Sequence, residues 1–576
     1  MATVLRLAYR SIHRRLTAAD VMQRVLIVLA VLALFGALLL PLLFLFAKAF
    51  QNRAGEYIGF DNFVHYFSTS SMLRSLTNTL FVSTTTTVIS VVLAFLYAYG
   101  IIRTSMSGKR FFKSIALLPL FAPTMMHALS LTYLFGNQGL VTQGFFGTLP
   151  FGVNIHLYGA VGIVISEVIY TFPQAYMILL TVLAITDYRL YEASHSLGAS
   201  KWRTFYSVTL PTVRYGLISA AFVCFTASFI DFGAPQSIGG QYSVLATDIY
   251  KQVIGQQNMP MGATVGILLT IPAIFAFIVD RFVERKQRAT LTAKSTAYQI
   301  KPGTARDRAY FVFCSVIAAC LLIPMLTIVY ASLVKTWPYN LGLSLRHYDF
   351  TDVAAGGMGP FKVSLQVAAL TAVVGTVVTF VFAYLIEKGR GFERVRQIGQ
   401  FLSVLPMALP GMALGLAYIF FFNKPDNPLN FMYGTIAILV LVNVVHFYSV
   451  PFITATASLK KLDKEIEAVS ESMNVPFYRT FLAVTVPMSL PAILEIAMYY
   501  FVNAMVTISA VVFLYAPNLK PAAVSIVNMD DAGDVAAAAA MSVLVVAANL
   551  VVRFLYEALV RGVRKRTQMW YGAARD

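Results

Sequence analysis

Apolar runs of about 20 residues or more recur along the chain, parted by short polar stretches, and each suffices to cross a hydrocarbon core roughly 30 Å thick. Six fall near 22–48, 76–102, 112–136, 157–184, 213–233 and 262–282, and six more near 309–334, 363–386, 398–422, 433–457, 489–515 and 537–559. The pattern predicts an all-α, polytopic membrane protein of about 12 transmembrane helices. Its expected organisation is a basic arm (1–24), a first half (25–284), a basic linker (285–308), a second half (309–560) and a tail (561–576). The first run reads as a retained anchor, because it is longer than a signal-peptide core and no small-residue cleavage site follows it.

Between these runs one polar stretch occurs twice. Asp187–Pro211 and Asp463–Pro487 align without a gap at an offset of 276 residues. Leu190, Ala193 and Leu197 are spaced i, i+3, i+7, as are Ile466, Val469 and Met473, so each copy predicts a short helix with one apolar stripe. The stripe is expected to pack on the bundle while Glu192, His195, Glu467 and Glu471 face elsewhere. Gly198 and its counterpart Asn474 should stop the helices, since Gly and then Asn enter the left-handed region at least cost. A second helix follows, with Ser200 as a candidate N-cap in one copy and Pro476 near the first turn in the other. Its apolar face holds Trp202, Phe205, Tyr206 and Thr209, answered by Tyr478, Phe481, Leu482 and Thr485, and Pro211 and Pro487 mark the entry to the next span. The outcome is a helix-turn-helix elbow, presented twice. A second echo pairs Leu117–Phe135 with Val404–Phe422, matching Pro119 and Pro123 to Pro406 and Pro410.

Composition agrees with a membrane chain and excludes an ordinary soluble domain. The mean hydropathy is +0.71 and only 12% of residues are charged. A net charge of +18 does not point to nucleic acid, because the basic residues gather beside apolar runs. Arg6, Arg10, Arg14, Arg15 and Arg24 precede or open the first run, Arg103, Lys109, Arg110 and Lys113 sit between the second and third, and Arg561, Arg564, Lys565 and Arg566 follow the last. Segments on the other side are poor in basic residues: 136–156 carries no Lys, Arg, Asp or Glu. This asymmetry puts both termini and both elbows in the cytoplasm, and an even number of spans per half makes the halves parallel. The three cysteines, Cys224, Cys314 and Cys320, lie inside apolar runs without ligand spacing and read as small buried hydrophobes.

Candidate chemistry inside the membrane is sparse. Glu167, Asp231 and Glu495 are the ionisable residues deep in the runs, each costing about 2.5–3.5 kcal/mol at a helix centre. Asp231 precedes Gly233 and Pro235 and fits either a gate or a helix-end hydrogen-bonding group. Glu167 has no evident partner, and Glu495 fits a pairing near the inner interface. Pro123 and Pro410 break their spans, which suits a bend lining a pathway or a packing kink equally. In the outer loop 527–534, Asp530, Asp531 and Asp534 lack the ligand pattern of a calcium loop, so no metal site is assigned and a contact with an extracytoplasmic binding protein fits them better.

The elbows resemble the EAA loop of ABC-importer permeases, on Glu192, Ala193, Gly198, Ala199, Phe205 and Pro211 in the first copy and on Glu467, Ala468, Asn474, Phe481 and Pro487 in the second. The second copy departs from the pattern: Glu467 lies opposite Tyr191, one position early, and Asn474 replaces the glycine. The resemblance implies a type I importer permease in which each elbow docks into a groove of an ATP-binding cassette subunit. The chain itself carries no G-x-x-x-x-G-K-[ST] phosphate loop. ATP and Mg are therefore expected on two copies of a separate ATPase, with no cofactor in this chain, no enzymatic activity of its own and a monomeric fused permease. Stretches such as ATDIYKQVIGQQN, DFGAP and NMDDAGD also resemble fused permeases of 2-aminoethylphosphonate importers, relatives of the ferric-iron and polyamine permeases. That second resemblance implies a small polar solute such as 2-aminoethylphosphonate, with ferric iron or a polyamine as the alternative, handed over by a periplasmic binding protein at a bacterial inner membrane. Twelve spans in two parallel halves also describe a secondary transporter, but that would want more titratable groups mid-membrane. An intramembrane enzyme lacks a recognisable constellation, since no H-E-x-x-H occurs.

Overall fold

The structure, a computed structural model, describes residues 18–148, 150–290, 298, 300, 302–351, 357–389, 391–463, 465–473 and 475–573. Among them eight helices are long and apolar enough to cross a membrane, and four bent helix pairs bring the spans to twelve when each pair counts as one. In chain order the spans of the first half are Ala18–Ala49, Ser70–Arg103, the pair Lys109–Phe121 with Thr124–Phe135, Ala160–Ala184, Lys201–Phe229 and Met259–Thr290. Those of the second half are Thr304–Leu333, Gly359–Glu387, the pair Glu393–Ala408 with Gly411–Phe422, the pair Ile436–His446 with Ser449–Lys460, the pair Phe477–Met488 with Leu490–Val506, and Val535–Ala573. We number them spans 1 to 12.

Within each half three spans form the nucleus: spans 2, 4 and 5 pack on one another, as do spans 8, 10 and 11. The first span of each half crosses to the other half. Span 1 lies against spans 6 and 9, where Tyr418 donates its hydroxyl to the Ala37 carbonyl at 2.8 Å. Span 7 lies against spans 2, 3 and 12, and Gly100 of span 2 leaves room for the Tyr310 ring, which a Cβ there would approach to 2.7 Å. The halves thus hold each other by exchanged helices, and Cys314, Ala318 and Leu321 of span 7 complete the buried core of the first half. Cys224 and Cys314 are buried, whereas Cys320 is exposed on span 7, against the expectation of three buried thiols.

Proline explains the breaks. Its ring clashes with the carbonyl four residues earlier and it has no N–H to donate. Span 3 turns through 105° just before Thr124, after Pro123, and span 9 through 114° after Pro410. Span 10 bends by 58° ahead of Pro451, while span 4 continues as one helix past its internal Pro173. Two span ends differ from the hydropathy pattern. The fifth stops at Phe229 rather than near 233, and the eleventh at Val506 rather than near 515; buried turns and short helices fill both outer ends. Gly233 and Pro235 lie at the end of the fifth run, whereas residues 507–515 carry neither glycine nor proline. Conversely, the charged ends 285–290 and 561–573 prolong spans 6 and 12 as helix instead of opening a linker and a tail. Outside the spans a short antiparallel hairpin pairs Val334–Thr336 with Asn340–Leu343.

Candidate functional site

The first elbow begins at Asp187, whose carboxylate accepts from the Arg189 N–H at 3.1 Å and caps the helix Tyr188–Ser196. Gly198 then takes φ +71°, and the turn closes with Gly198 N–H donating to His195 O and Ala199 N–H to Ser194 O. Ser200 caps the next helix by accepting from Arg203 N–H at 3.2 Å. A hydroxyl contact at 2.9 Å between Ser194 and Thr204 staples the two arms. The second elbow repeats the scheme: Asp463 accepts from Glu465 N–H at 3.1 Å and Val475 N–H donates to Ser470 O. Asn474 lies outside the described residues.

The second arm of each elbow is not a separate helix. It runs on into span 5 or span 11 through one π turn, Phe205–Thr209 or Phe481–Thr485. The Leu210 and Val486 N–H groups donate five residues back, to Phe205 O and Phe481 O. Pro211 and Pro487 follow directly; the widened turn absorbs Pro211 and span 5 continues as one helix, whereas span 11 bends by 77° at Ser489, two residues past Pro487. Phe205 meets Phe95 of span 2 edge-on, and Phe481 meets Phe380 and Tyr384 of span 8. This motif phenylalanine is the inward anchor of each elbow.

The apolar stripe of the first elbow's first arm points the opposite way from expectation, and so do Val469 and Met473 in the second, where Ile466 is half-buried. Leu197 is 87% exposed, Met473 70% and Val469 57%, while Leu190 and Ala193 are exposed as well. Tyr188, Tyr191 and Ser194 face the bundle instead. Periodicity defines a face but not its direction, and tyrosines satisfy a junction where backbone carbonyls must be met. Trp202, Tyr206, Tyr478 and Leu482 are exposed too, so both arms of each elbow present large apolar side chains, a feature that marks docking sites. Glu192 is exposed beside that surface, and Ala199 is half-buried in the turn. Ala468, which occupies the Glu192 position in the second copy, is exposed. Glu467 is not: it pairs with Lys388 at 3.1 Å, both side chains largely covered.

The membrane candidates gather at one place in the first half. Glu167 of span 4 is fully buried facing Asp231 and Ser228. Asp231 accepts from Ala234 N–H at 3.0 Å, capping the short helix Gly233–Ile238, and also meets Thr124, the residue after Pro123. A Cβ on Gly233 would overlap the Thr124 hydroxyl, so the two breaks touch. At the 276-residue offset, Glu167 becomes Asn443 and Asp231 becomes Thr507, both buried. There the glycine and the hydroxyl change sides, Gly411 after Pro410 pressing on Ser509. Glu495, by contrast, is exposed.

At the end of the spans opposite the elbows, the three aspartates separate. Asp530 receives Ser237 and its carboxyl is pushed by burial up to about 6. Asp531 accepts from Gln236 at 3.1 Å, linking the halves, and Asp534 lines a cavity of about 810 Å³ together with Tyr133, Trp337 and Arg346. Nothing in the hydropathy pattern marked Arg103 or Lys388, the two cations that close over the elbow junctions; a signal was present in Glu467 standing where the first copy has Tyr191.

The family model of the binding-protein-dependent transport system inner membrane component matches residues 87–289 and 381–565, once per half. Among curated relatives, the ferric transport system permease protein FbpB of Actinobacillus pleuropneumoniae is 28% identical over 93% of this chain and 78% of its own length. The Fe(3+)-transport system permease protein FbpB 2 of Haemophilus influenzae is 22% identical over 85% of the chain and 89% of its own. A spermidine/putrescine transport system permease PotC homolog of Mycoplasma genitalium is 25% identical over 37% of the chain and 71% of its own. With two family matches, one on each set of spans and each containing an elbow, the chain belongs to the binding-protein-dependent transport system inner membrane components and is the permease of an ABC importer.

Proposed function

We propose that the chain carries ferric iron across the bacterial inner membrane, driven by two copies of a separate ATPase docked on its two elbows. The observation that carries the docking is the outward-facing apolar surface of both elbows, led by Leu197 and Met473 beside the exposed Glu192. ATP and Mg belong to the partner subunits; in this chain the work is mechanical. Motivation for iron comes from three curated relatives that match 85–93% of this chain and are named ferric transport permeases, and this favours iron over 2-aminoethylphosphonate. Lys/Arg asymmetry across the spans puts the elbows and both termini in the cytoplasm. A periplasmic binding protein would then meet the opposite face, where Asp534 lines the cavity and Asp530 and Asp531 hold the neighbouring segment of the first half. Closure of the ATPases would draw the elbows together and open the halves outward, an alternating access about the axis relating the two parallel halves. At the paired breaks, Glu167, Asp231, Pro123 and Pro410 form the gate.

The test is uptake into proteoliposomes holding the permease, its ATPase and its binding protein. ATP-dependent accumulation of ferric iron, undiminished by excess 2-aminoethylphosphonate, is the expected result. Accumulation of the phosphonate without iron would overturn the cargo, and uptake on an ion gradient without ATP would overturn the importer class.

A further inference from the structure

At the junction of each elbow with its bundle sits one buried cation, and the two cations are held by different chemistry. In the first half it is Arg103, the last residue of span 2, only 1% exposed. One guanidinium nitrogen donates at 3.3 Å both to Leu183 O, in the last turn of span 4, and to the Tyr191 hydroxyl of the elbow. The Tyr191 hydroxyl in turn meets Thr209 at 3.1 Å, so span 2, span 4 and both arms of the elbow join at this arginine. In the second half the cation is Lys388, at the end of span 8. It donates to Leu462 O, just past span 10, at 3.3 Å and to Glu467 at 3.2 Å. Both cations sit on carbonyls at a helix C-terminus, where positive charge is favoured.

Glu467 occupies the position of Tyr191, so it is the charged counterpart of a ring rather than a displaced Glu192. The pairing is chemically consistent: a planar guanidinium stacks on aromatics, whereas a compact ammonium calls for a carboxylate. The first junction has a further member. Tyr298, from the segment joining the halves, lies with its ring centroid 3.7 Å from the Arg103 guanidinium carbon and packs edge-on against Tyr188 and Tyr191 at 5.3 and 5.1 Å. Two other guanidinium nitrogens are buried without an acceptor, and among the described residues no carboxylate reaches Arg103; the rings are its counter-charge. Nearby, Ser105 bonds Asp307, which also binds Arg306, fastening the far end of the same segment below span 2. No described ring covers Lys388.

We infer that the segment joining the halves braces the first elbow: Tyr298 closes an aromatic cage on Arg103, making Arg103, Tyr191 and Tyr298 positioning residues that pass the elbow's motion to spans 2 and 4. In the second half the Lys388–Glu467 pair does this without a brace. This rests on the reading of the elbows as ATPase docking sites. Because the same segment continues into span 7, which packs on the first half, the stroke of the first elbow also reaches the exchanged helix.

The experiment measures cargo taken up per ATP hydrolysed by the complete reconstituted importer. Leucine at 298 keeps apolar volume but has no ring, so Tyr298→Leu should keep hydrolysing ATP while uptake per ATP falls roughly 5- to 10-fold. Tyr298→Phe should keep the native ratio. A native ratio for Tyr298→Leu, or an equal loss for Tyr298→Phe, overturns the brace. Titration of Gly198→Val with the ATPase serves as the elbow control: weakened binding there beside a native ratio for Tyr298→Leu overturns the brace alone, and undiminished binding overturns the docking reading beneath it. In the second half, Lys388→Gln and Glu467→Gln should each lower uptake per ATP, and the double variant should lose less than the two losses combined; fully additive losses overturn the matching role of that pair.

Discussion

Gly198 and Glu467 show how single residues set the behaviour of each elbow. At Gly198 a side chain would meet nothing within 4 Å, so any penalty there comes from the backbone at φ +71° alone. A β-branched residue in that region costs about 1–2 kcal/mol. Gly198→Val should therefore weaken ATPase binding by roughly 5- to 30-fold, whereas Gly198→Asn, which borrows the residue standing in the second copy, should bind nearly as well as glycine. Titration of the purified permease with its ATPase checks this, and equal damage by Asn would show that handedness is not what the turn demands. Glu467 acts through Lys388. Removing the carboxylate strands a covered ammonium, so Glu467→Ala should cost more than Lys388→Ala with Glu467→Ala together. Thermal unfolding of the three variants reads the difference; an additive double variant would deny the pairing.

At the scale of elements, the outer helix Ala522–Asp531 clasps the first half through Asp530–Ser237 and Asp531–Gln236. Burial raises the Asp530 carboxyl from the ordinary value to about 6, so the folded chain holds that proton more tightly than the unfolded one. Stability from this group is present at low pH and is lost as pH rises through about 6. Asp530→Asn mimics the protonated form and keeps an acceptor for Ser237. It should raise the unfolding midpoint at pH 7.5, by an amount worth about 1–2 kcal/mol, and the gain should shrink towards pH 5. A gain that is equal at both pH values would contradict the assignment. Much of this element level is legible in the sequence. The apolar run near 157–184 predicts span 4, which forms Ala160–Ala184, because a long apolar run has one outcome in lipid. The turn at Gly198 is legible because positive φ is a local demand. The direction of the Leu190–Leu197 stripe is not, because a face reserved for a partner has the same period as a face reserved for the core. Nor is the cage on Arg103, whose rings come from segments far apart in the chain and meet only through the fold.

Across the whole molecule, duplication gives two similar halves that are not equal. Spans 4 and 10 and the elbows keep one offset, while Glu167 and Asp231 of one half face Asn443 and Thr507 of the other. Exchange of spans 1 and 7 makes the halves interdependent, so neither is expected to hold an ATPase alone. Fusion of both halves in one polypeptide places two elbows on each chain, and the central claim is that each receives one ATPase. The mass of the detergent-solubilised complex, measured by light scattering or native mass spectrometry, tests this directly. One permease with two ATPase copies is predicted; a complex with a single ATPase, or one that needs two permease chains, would contradict it.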